Sequence, residues 1–470
     1  MKIEQIYTGC LAEADYYIES NGEAAIIDPL REVAPYIERS KENQATIKYV
    51  LETHFHADFV SGHLDLAKKT GAQIVYGPTA QPNFEALIAE DGQELPLGNI
   101  KIKVLHTPGH TMESSTYLVL DEHNDPYAIF TGDTLFIGDV GRPDLAVKTD
   151  LTREDLAGHL FESLRNKIMP LPDEVIVYPA HGAGTACGKN LSSETFDTLG
   201  NQKMFNYALR QDMSKEEFVE EVTEGLVDPP QYFPKNAVLN KMGYDSIDEV
   251  LERGVVDLDV KQFKDVVERN EALILDTRHK KDFVKGFVPG SIWIGIEDNF
   301  APWVGALITD LNQPIVFLAH PGTEEEVVTR LSRVGYDNTL GFLKGGIAAW
   351  AAANNEVNTL EEISARDFAK AFDARAKKVT LDVRKESEFE AQHLEGAQNF
   401  PLDFINKNME QLDQTQTYYL HCQGGYRSLI TASILRARGF KKLVNIKGGF
   451  DALKDADLKV TAFKEPTTML

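Results

Sequence analysis

Cysteine is scarce in this chain of 470 residues. Only Cys10, Cys187 and Cys422 occur, too few and too scattered for a disulfide framework, which fits a reducing compartment. Long apolar runs are missing too. No stretch approaches the length a bilayer requires, and the opening Met1-Lys-Ile-Glu-Gln5 carries no apolar core of a secretory signal. Positive charge is in deficit, with 48 Lys and Arg against 73 Asp and Glu and a formal net charge of −25. A chain that acidic is repelled by nucleic acid and by anionic membrane surfaces. The expectation is a cytoplasmic protein with neither nucleic acid nor membrane as partner; self-association stays open.

Apolar residues are not scarce. At 43% of the chain they suffice for several cores, and the length suggests roughly three domains at about 150 residues each. Short strands are expected at Ala24–Ile27, Ile47–Leu51, Ile100–Leu105, Tyr117–Leu120, Tyr127–Phe130 and Glu174–Val177; Ile100-Lys-Ile-Lys-Val104 shows the alternation of a half-buried strand. A polar helical stretch from about Ser193 to Leu226 follows. Pro229, Pro230 and Pro234 then interrupt regularity and mark a linker or domain edge.

The second half repeats itself. Leu273-Ile-Leu-Asp276-Thr-Arg278 matches Val379-Thr-Leu-Asp382-Val-Arg384, and Leu343-Lys-Gly-Gly346 matches Ile446-Lys-Gly-Gly449. Asp259 and Ser364 are each placed to N-cap a short helix ending in Phe263 or Phe368. A period of about 100 residues is too long for a solenoid and denotes a duplicated domain of alternating strands and helices, hence a mostly parallel sheet.

Histidine is concentrated early. Of the 12 histidines, His54, His56, His63, His106, His110, His123, His159 and His181 all precede the repeats. Each polar cluster falls just past an expected strand: Thr53-His54-Phe55-His56-Ala57-Asp58, His106-Thr-Pro-Gly-His110, Thr131-Gly-Asp133 and Pro179-Ala-His181. Strand ends of one sheet share a rim, so His54, His110, Asp133 and His181 can converge. Imidazole with carboxylate suits zinc or iron, and two histidines plus one carboxylate form the non-haem Fe(II) arrangement. A lone loop histidine merely solvates a turn; four strand ends bearing His or Asp point to a metal.

His54-Phe-His56-Ala-Asp58 with His110, Asp133 and His181 resembles the metal-binding signature of the metallo-β-lactamase fold, an αββα sandwich with its site at one edge. Thr131-Gly-Asp133 through Arg142-Pro-Asp144 resembles the persulfide dioxygenase branch, whose members hold one Fe(II). By that match His54, His110 and Asp133 are the iron ligands, while His56, Asp58 and His181 orient ligands or substrate or add a ligand of their own; zinc is the substitute metal. The family motif usually continues with a histidine after the aspartate, a ligand for a second metal. Here Phe59 stands there, which removes support for dinuclear hydrolysis. His63 is expected to cap or pack a helix. Cys187, six residues after His181, is either a relay thiol near the metal or a packed small side chain. Cys10 is expected in the core.

The second chemical signal is His421-Cys422-Gln423-Gly424-Gly425-Tyr426-Arg427-Ser428, between apolar Tyr418–Leu420 and a helical stretch. A cysteine on a Gly-rich loop opening a helix meets backbone N–H groups and the positive dipole end, and Arg427 adds charge; all favour the nucleophilic thiolate. Cys-x-x-Gly-x-Arg-Ser resembles the active loop of rhodanese sulfurtransferases, with Gln423 to Tyr426 and Ser428 cradling a persulfide and Asp382 and Arg384 as framework. In the first repeat Ala319 falls opposite Cys422 and Glu324 opposite Arg427, so that copy resembles an inactive rhodanese domain. His320 is expected to be a loop-surface residue.

The resemblances imply residues 1–245 as a metallo-β-lactamase-fold persulfide dioxygenase domain, 258–355 as an inactive rhodanese-like domain and 360–460 as an active one. They imply oxidation of a thiol persulfide by O₂ to sulfite at one Fe(II) per chain, with Cys422 passing sulfur to sulfite or a thiol. The alternatives are a zinc thioester hydrolase of the hydroxyacylglutathione type and a non-enzymatic sulfur carrier with a structural metal.

Overall fold

Alternation decides the first half of the chain. In the strand Ser115–Leu120, Tyr117 and Val119 enter one core while Leu118 and Leu120 enter another. The computed structural model describes residues 1–146, 151–189, 191–297, 299–371 and 379–464. Met1–Asp248 with the short segment Ser332–Gly335 make one unit; Glu249–Leu331 with Tyr336–Leu470 make a second.

In the first unit, Lys2–Thr8, Glu13–Ser20, Glu23–Ile27, Thr46–Leu51, Gln73–Tyr76 and Leu87–Ile88 form one sheet in chain order. Glu94–Leu97, Ile100–His106, Ser115–Leu120, Pro126–Gly132, Ile176–Pro179 and Asp197–Thr198 form the other. Tyr16, Leu51, Val75, Ile102, Tyr117 and Phe130 fill the space between them. The first sheet's outer face packs Tyr17, Val50 and Ile74 against Tyr36 and Leu66 of the helices Ala34–Glu42 and His63–Thr70. The second sheet's outer face packs Leu118, Ile129 and Val177 against Leu160 and Phe218 of the helices Arg153–Ser163 and Lys215–Thr223. The result is the expected αββα sandwich.

Ile100–His106 and Pro126–Gly132 both run antiparallel to Ser115–Leu120, and Ile176–Pro179 runs parallel to Pro126–Gly132. Three strands therefore end on one edge. Each end carries an imidazole or carboxylate.

The long helical stretch expected after Ser193 divides into Leu199–Phe205 and Lys215–Thr223, N-capped by Thr198 and Ser214. Pro234 does not interrupt regular structure. It sits in the first turn of the helix Phe233–Met242, where its missing N–H costs nothing. The last expected strand begins two residues later, at Ile176.

The second unit holds two sheets with one topology. Their orders are Asp257–Leu258, Thr339–Leu343, Ile315–Leu318, Leu273–Asp276, Ile292–Trp293, and Glu361–Ser364, Leu443–Lys447, Tyr418–His421, Val379–Asp382, Gln398–Asn399. Every pairing is parallel. Asp259 and Ser364 both accept N-capping bonds, but the helix after Asp259 runs on to Asn270. No helix among the described residues is long and apolar enough to cross a membrane.

Candidate functional site

The four strand ends bring His54, His110, Asp133 and His181 together in the interior, each at most 2% exposed. Nε2 of His110 lies 3.3 Å and Nε2 of His54 4.0 Å from Oδ2 of Asp133. Nε2 of His181 lies 3.5 Å from Oδ1 of Asp133 and 3.3 Å from Oδ2 of Asp58. Gly132, just before Asp133, has φ +51, and a Cβ there would sit 2.5 Å from Thr53 Oγ1.

Hydrogen bonding fixes the tautomer of all three imidazoles. Nδ1 of His110 faces the carbonyl of Arg142 at 2.9 Å, and Nδ1 of His181 faces that of Ala12 at 3.1 Å. A carbonyl only accepts, so each Nδ1 carries the proton. The Thr53 hydroxyl donates to Asp28 at 2.8 Å and therefore accepts from Nδ1 of His54 at 2.9 Å. Three Nε2 lone pairs are thus turned on one carboxylate. Burial, reinforced by His56, His110 and His181, holds His54 well below the usual histidine range, so it is neutral. Both Asp133 oxygens and Nε2 of His181 are buried without a hydrogen-bond partner. Unpaired buried acceptors of this kind are costly unless a cation sits among them, so the donors fit a metal ion.

The other histidines of the motif go elsewhere. His56 Nε2 lies 3.0 Å from Asp28 Oδ1 and 3.7 Å from Glu52 Oε2. Burial opposes the charged ring, but Asp28, Glu52 and Asp58 outweigh it and push His56 up to about 9. Phe59 is fully buried, its ring 4.4 Å from that of His56. His63 opens the helix His63–Thr70, as expected, and packs on Phe84 and Tyr244.

Cys187 is buried, with Sγ within 4.8 Å of donor atoms of Asp58 and His181. Burial, then Asp58 and Asp133, pushes its thiol up. Cys10 is not a core residue; it is half-buried, at the turn after the edge strand Lys2–Thr8. Asp28, Glu52 and Thr53 were not singled out from the sequence. Asp28 follows the strand Glu23–Ile27, so the strand-end rule that found His54 also applies to it.

In the second unit Cys422 is buried, and its Sγ accepts from Gly425 N–H at 3.1 Å where the helix Tyr426–Ala437 begins. Arg384 pairs with Asp382 at 2.6 Å and reaches Gln423 Oε1 at 3.0 Å, tying the framework to the loop. Ser428 donates to Asn445 at 2.8 Å. Gly449 has φ +57, and a Cβ there would meet the Cys422 carbonyl at 2.3 Å, so this position needs glycine. Arg427 differs from expectation: its guanidinium is engaged by both Glu388 oxygens, at 2.5 and 2.8 Å. Burial raises the Glu388 carboxyl, but Arg427 outweighs this and holds it below its usual range. The charge of Arg427 is matched by Glu388, and the direct contact to sulfur comes from the loop N–H.

Asp382 pairs with His421 across the sheet, and Asp276 pairs with Leu318. Ala319 therefore occupies the place of Cys422. Gly322 N–H, the counterpart of the donor to sulfur, is taken by Glu324 Oε2 at 2.7 Å. His320 is half-buried and accepts from the His279 N–H at 3.0 Å. The loop of the first repeat is closed by its own carboxylate.

Fold and donors define a metal-binding αββα sandwich carried on one chain with a paired α/β module bearing a cysteine loop. The metallo-beta-lactamase superfamily model matches residues 8–181, and the rhodanese-like domain model matches residues 259–353 and 364–456. The chain belongs to the metallo-β-lactamase superfamily and continues into two rhodanese-like domains. Among its relatives, hydroxyacylglutathione hydrolase GloC of Haemophilus influenzae is 32% identical over 37% of this chain and 86% of its own length. The mitochondrial persulfide dioxygenase ETHE1 of Homo sapiens is 31% identical over 42% of this chain and 70% of its own. A solved metallo-beta-lactamase structure from Staphylococcus aureus is 31% identical with a TM-score of 0.63, covering 73% of this chain and 98% of that one.

Proposed function

We propose that the first unit oxidises a low-molecular-weight thiol persulfide to sulfite at a single iron, and that Cys422 transfers sulfane sulfur. The supporting observation is the donor set itself: His54, His110 and Asp133 lie together, while Phe59 stands where a second-metal ligand is usual and packs its ring, tilted, against that of His56. Iron(II) held by those three residues supplies open coordination positions and the redox capacity to activate dioxygen. The Nδ1 tethers from Thr53 and Arg142 keep both imidazoles aimed. His181, with Nε2 unprotonated, is placed to take the persulfide proton. One persulfide, one O₂ and one water give one thiol, one sulfite and two protons.

At the second site the Cys422 thiolate attacks the outer sulfur of a persulfide. The S–S bond breaks, the carrier thiol leaves, and Cys422 holds the sulfur as a persulfide beside the Gly425 N–H. Sulfite then attacks that outer sulfur, releasing thiosulfate and regenerating the thiolate.

The hydroxyacylglutathione hydrolase reading draws on GloC and on the second donor trio of Asp58, His181 and Cys187. Anaerobic purification, metal quantification and an oxygen electrode with several persulfides separate the two. One iron per chain with persulfide-dependent oxygen uptake is expected. Two zincs with thioester hydrolysis and no uptake would overturn the proposal.

A further inference from the structure

The helix Glu324–Ser332 ends in a turn that both repeats make. Leu331-Ser-Arg-Val-Gly-Tyr336 matches Leu435-Arg-Ala-Arg-Gly-Phe440. In each the glycine has positive φ, +84 at Gly335 and +98 at Gly439, and gives its N–H to the carbonyl three residues back. Arg333 stands where the second repeat has Ala437. The turn lies inside the rhodanese-like match at 259–353, yet Ser332–Gly335 belongs to the first unit. Carbonyls at a helix C-terminus have no partner within the helix. Here the Arg333 carbonyl accepts from the Val60 N–H at 2.7 Å. The Ser332 carbonyl accepts from the wholly buried Arg31 guanidinium at 3.3 Å, a cation at the negative end of the helix dipole.

Val60 is fully buried, two residues past Asp58 and one past Phe59. A buried N–H needs an acceptor, and Arg333 supplies it from outside the metallo-beta-lactamase match at 8–181. Asn240 takes the neighbouring groups of the same loop. It donates to the carbonyls of His56 at 2.8 Å and Phe59 at 2.7 Å and accepts from the Ser61 N–H at 2.9 Å. The loop so held aims Asp58, whose Oδ2 lies 3.3 Å from His181 Nε2, itself 3.5 Å from Asp133 Oδ1. Arg333 is pinned in turn. Both Glu32 oxygens engage its guanidinium, with Nε 3.1 Å from Oε2, and its Nη1 lies 3.6 Å from Cys10 Sγ. With side chains 14% and 25% exposed, the Arg333–Glu32 pair is sheltered enough to matter.

We propose that Arg333 is a positioning residue of the metal centre. Its pair with Glu32 fixes the segment Ser332–Gly335, and its carbonyl sets the Val60 end of the loop that carries His56 and Asp58. A residue of the cysteine-free repeat thereby serves the metal site. The proposal rests on His54, His110 and Asp133 being the metal ligands, and on no particular reaction at that metal. Arg333 acts through Val60 and Asp58 on the geometry of the centre, so its loss lowers kcat and leaves KM.

The test uses the full chain. In Arg333→Ala, hydrogen exchange at the Val60 amide should quicken about three- to tenfold, the loss of one partly sheltered ion pair, while amides of the strand Ser115–Leu120 exchange as in the wild type. Glu32→Gln weakens the same pair from its other end and should act in the same direction. In both variants a chelator should remove the bound metal faster by a similar factor, and the visible spectrum of the cobalt(II)-substituted protein should change. Arg333→Lys brings exchange, release and spectrum back towards wild type. Faster exchange at Val60 with unchanged metal release and an unchanged cobalt spectrum would mean that the segment only anchors the chain, and overturns the proposal; so does an exchange rate that does not move. Altered release and spectrum in the variants, with no persulfide-dependent oxygen uptake by the wild type, would keep the positioning role and remove the oxidation reading.

Discussion

His56 and Asp28 lie 3.0 Å apart, imidazole Nε2 to carboxylate Oδ1, in a pocket closed by Glu52 and the Phe59 ring. The pair gives the second motif histidine a carboxylate partner, and with Glu52 it forms a buried group whose donor atoms lie within 4.8 Å of one another. Where a histidine would follow Asp58 in a dinuclear site, an apolar ring packs instead.

Restoring that histidine should restore the second site. Phe59→His is expected to bind a second zinc per chain, with Asp58, His181 and the new imidazole as donors. Metal content after equilibration with excess zinc checks this. A content that stays at one would show that Phe59 is not what blocks the second metal.

Thr53 is the residue that sets the His54 tautomer, accepting from its Nδ1 while donating to Asp28. Thr53→Val preserves shape and removes both bonds. Metal affinity should fall about 10- to 100-fold, as for other groups that orient a ligand. His54→Ala should abolish oxygen uptake outright, yet leave sulfur transfer by Cys422 intact, because the two sites belong to separate units. Loss of both activities in a folded His54→Ala protein would mean that they share one site.

Acid sensitivity should be traceable to His63. Burial, then His56 and Arg31, lowers it to about 3. Below roughly pH 6.5 the unfolded chain binds a proton there that the folded chain refuses, so stability falls as pH drops, by about 1.4 kcal/mol per unit for this one group. The loss runs from about pH 6.5 to about 3 and is absent above. His63→Phe places a ring among Phe84, Tyr76 and Tyr244 without a titrating nitrogen. Its urea midpoint should depend less on pH between 7 and 5 than the wild type's. Parallel curves would place the acid sensitivity elsewhere.

Much of this was legible in the sequence because strand ends are punctuated. His54, His110, Asp133 and His181 each follow an apolar strand, and the duplicated Asp276-Thr-Arg278 and Asp382-Val-Arg384 both form the same ion pair. The strand Glu13–Ser20 was not legible: Glu13 and Asp15 are wholly buried carboxyls, and a strand with charged residues at interior positions breaks the pattern that identifies one. Burial raises both carboxyls well above their usual range. The partner of Arg427 was equally hidden, since Glu388 lies 39 residues away and only the fold brings it near.

Cys422→Ser should remove transfer of sulfur to cyanide or sulfite while leaving persulfide oxidation in the first unit. The product of persulfide oxidation should then shift from thiosulfate towards sulfite, read by ion chromatography. Thiosulfate formation that persists, and that disappears in Cys187→Ala, would move the sulfur carrier to the metal site.

The first rhodanese-like domain lacks a cysteine in its loop, yet it touches the loop that has one. Tyr426, next to the Gly425 donor, gives its hydroxyl to the Gly295 carbonyl at 2.9 Å, and its ring stands 5.1 Å from that of Trp293. The Trp293 N–H is bound by Ser433 Oγ at 2.8 Å on the helix that follows Cys422. The cysteine-free domain therefore supports both the start and the middle of that helix, and with it the N–H aimed at sulfur. Tyr426→Phe keeps the ring contact and removes one hydrogen bond, worth about 1 kcal/mol. Sulfur transfer should slow about threefold to tenfold, with the rate of Cys422 alkylation at fixed pH reduced in step because the Gly425 N–H is less well held. Trp293→Ala removes packing as well and should slow both further, while oxygen uptake in the first unit is unaffected. Wild-type alkylation and transfer rates in Tyr426→Phe and Trp293→Ala would show that the cysteine-free domain does not position the loop.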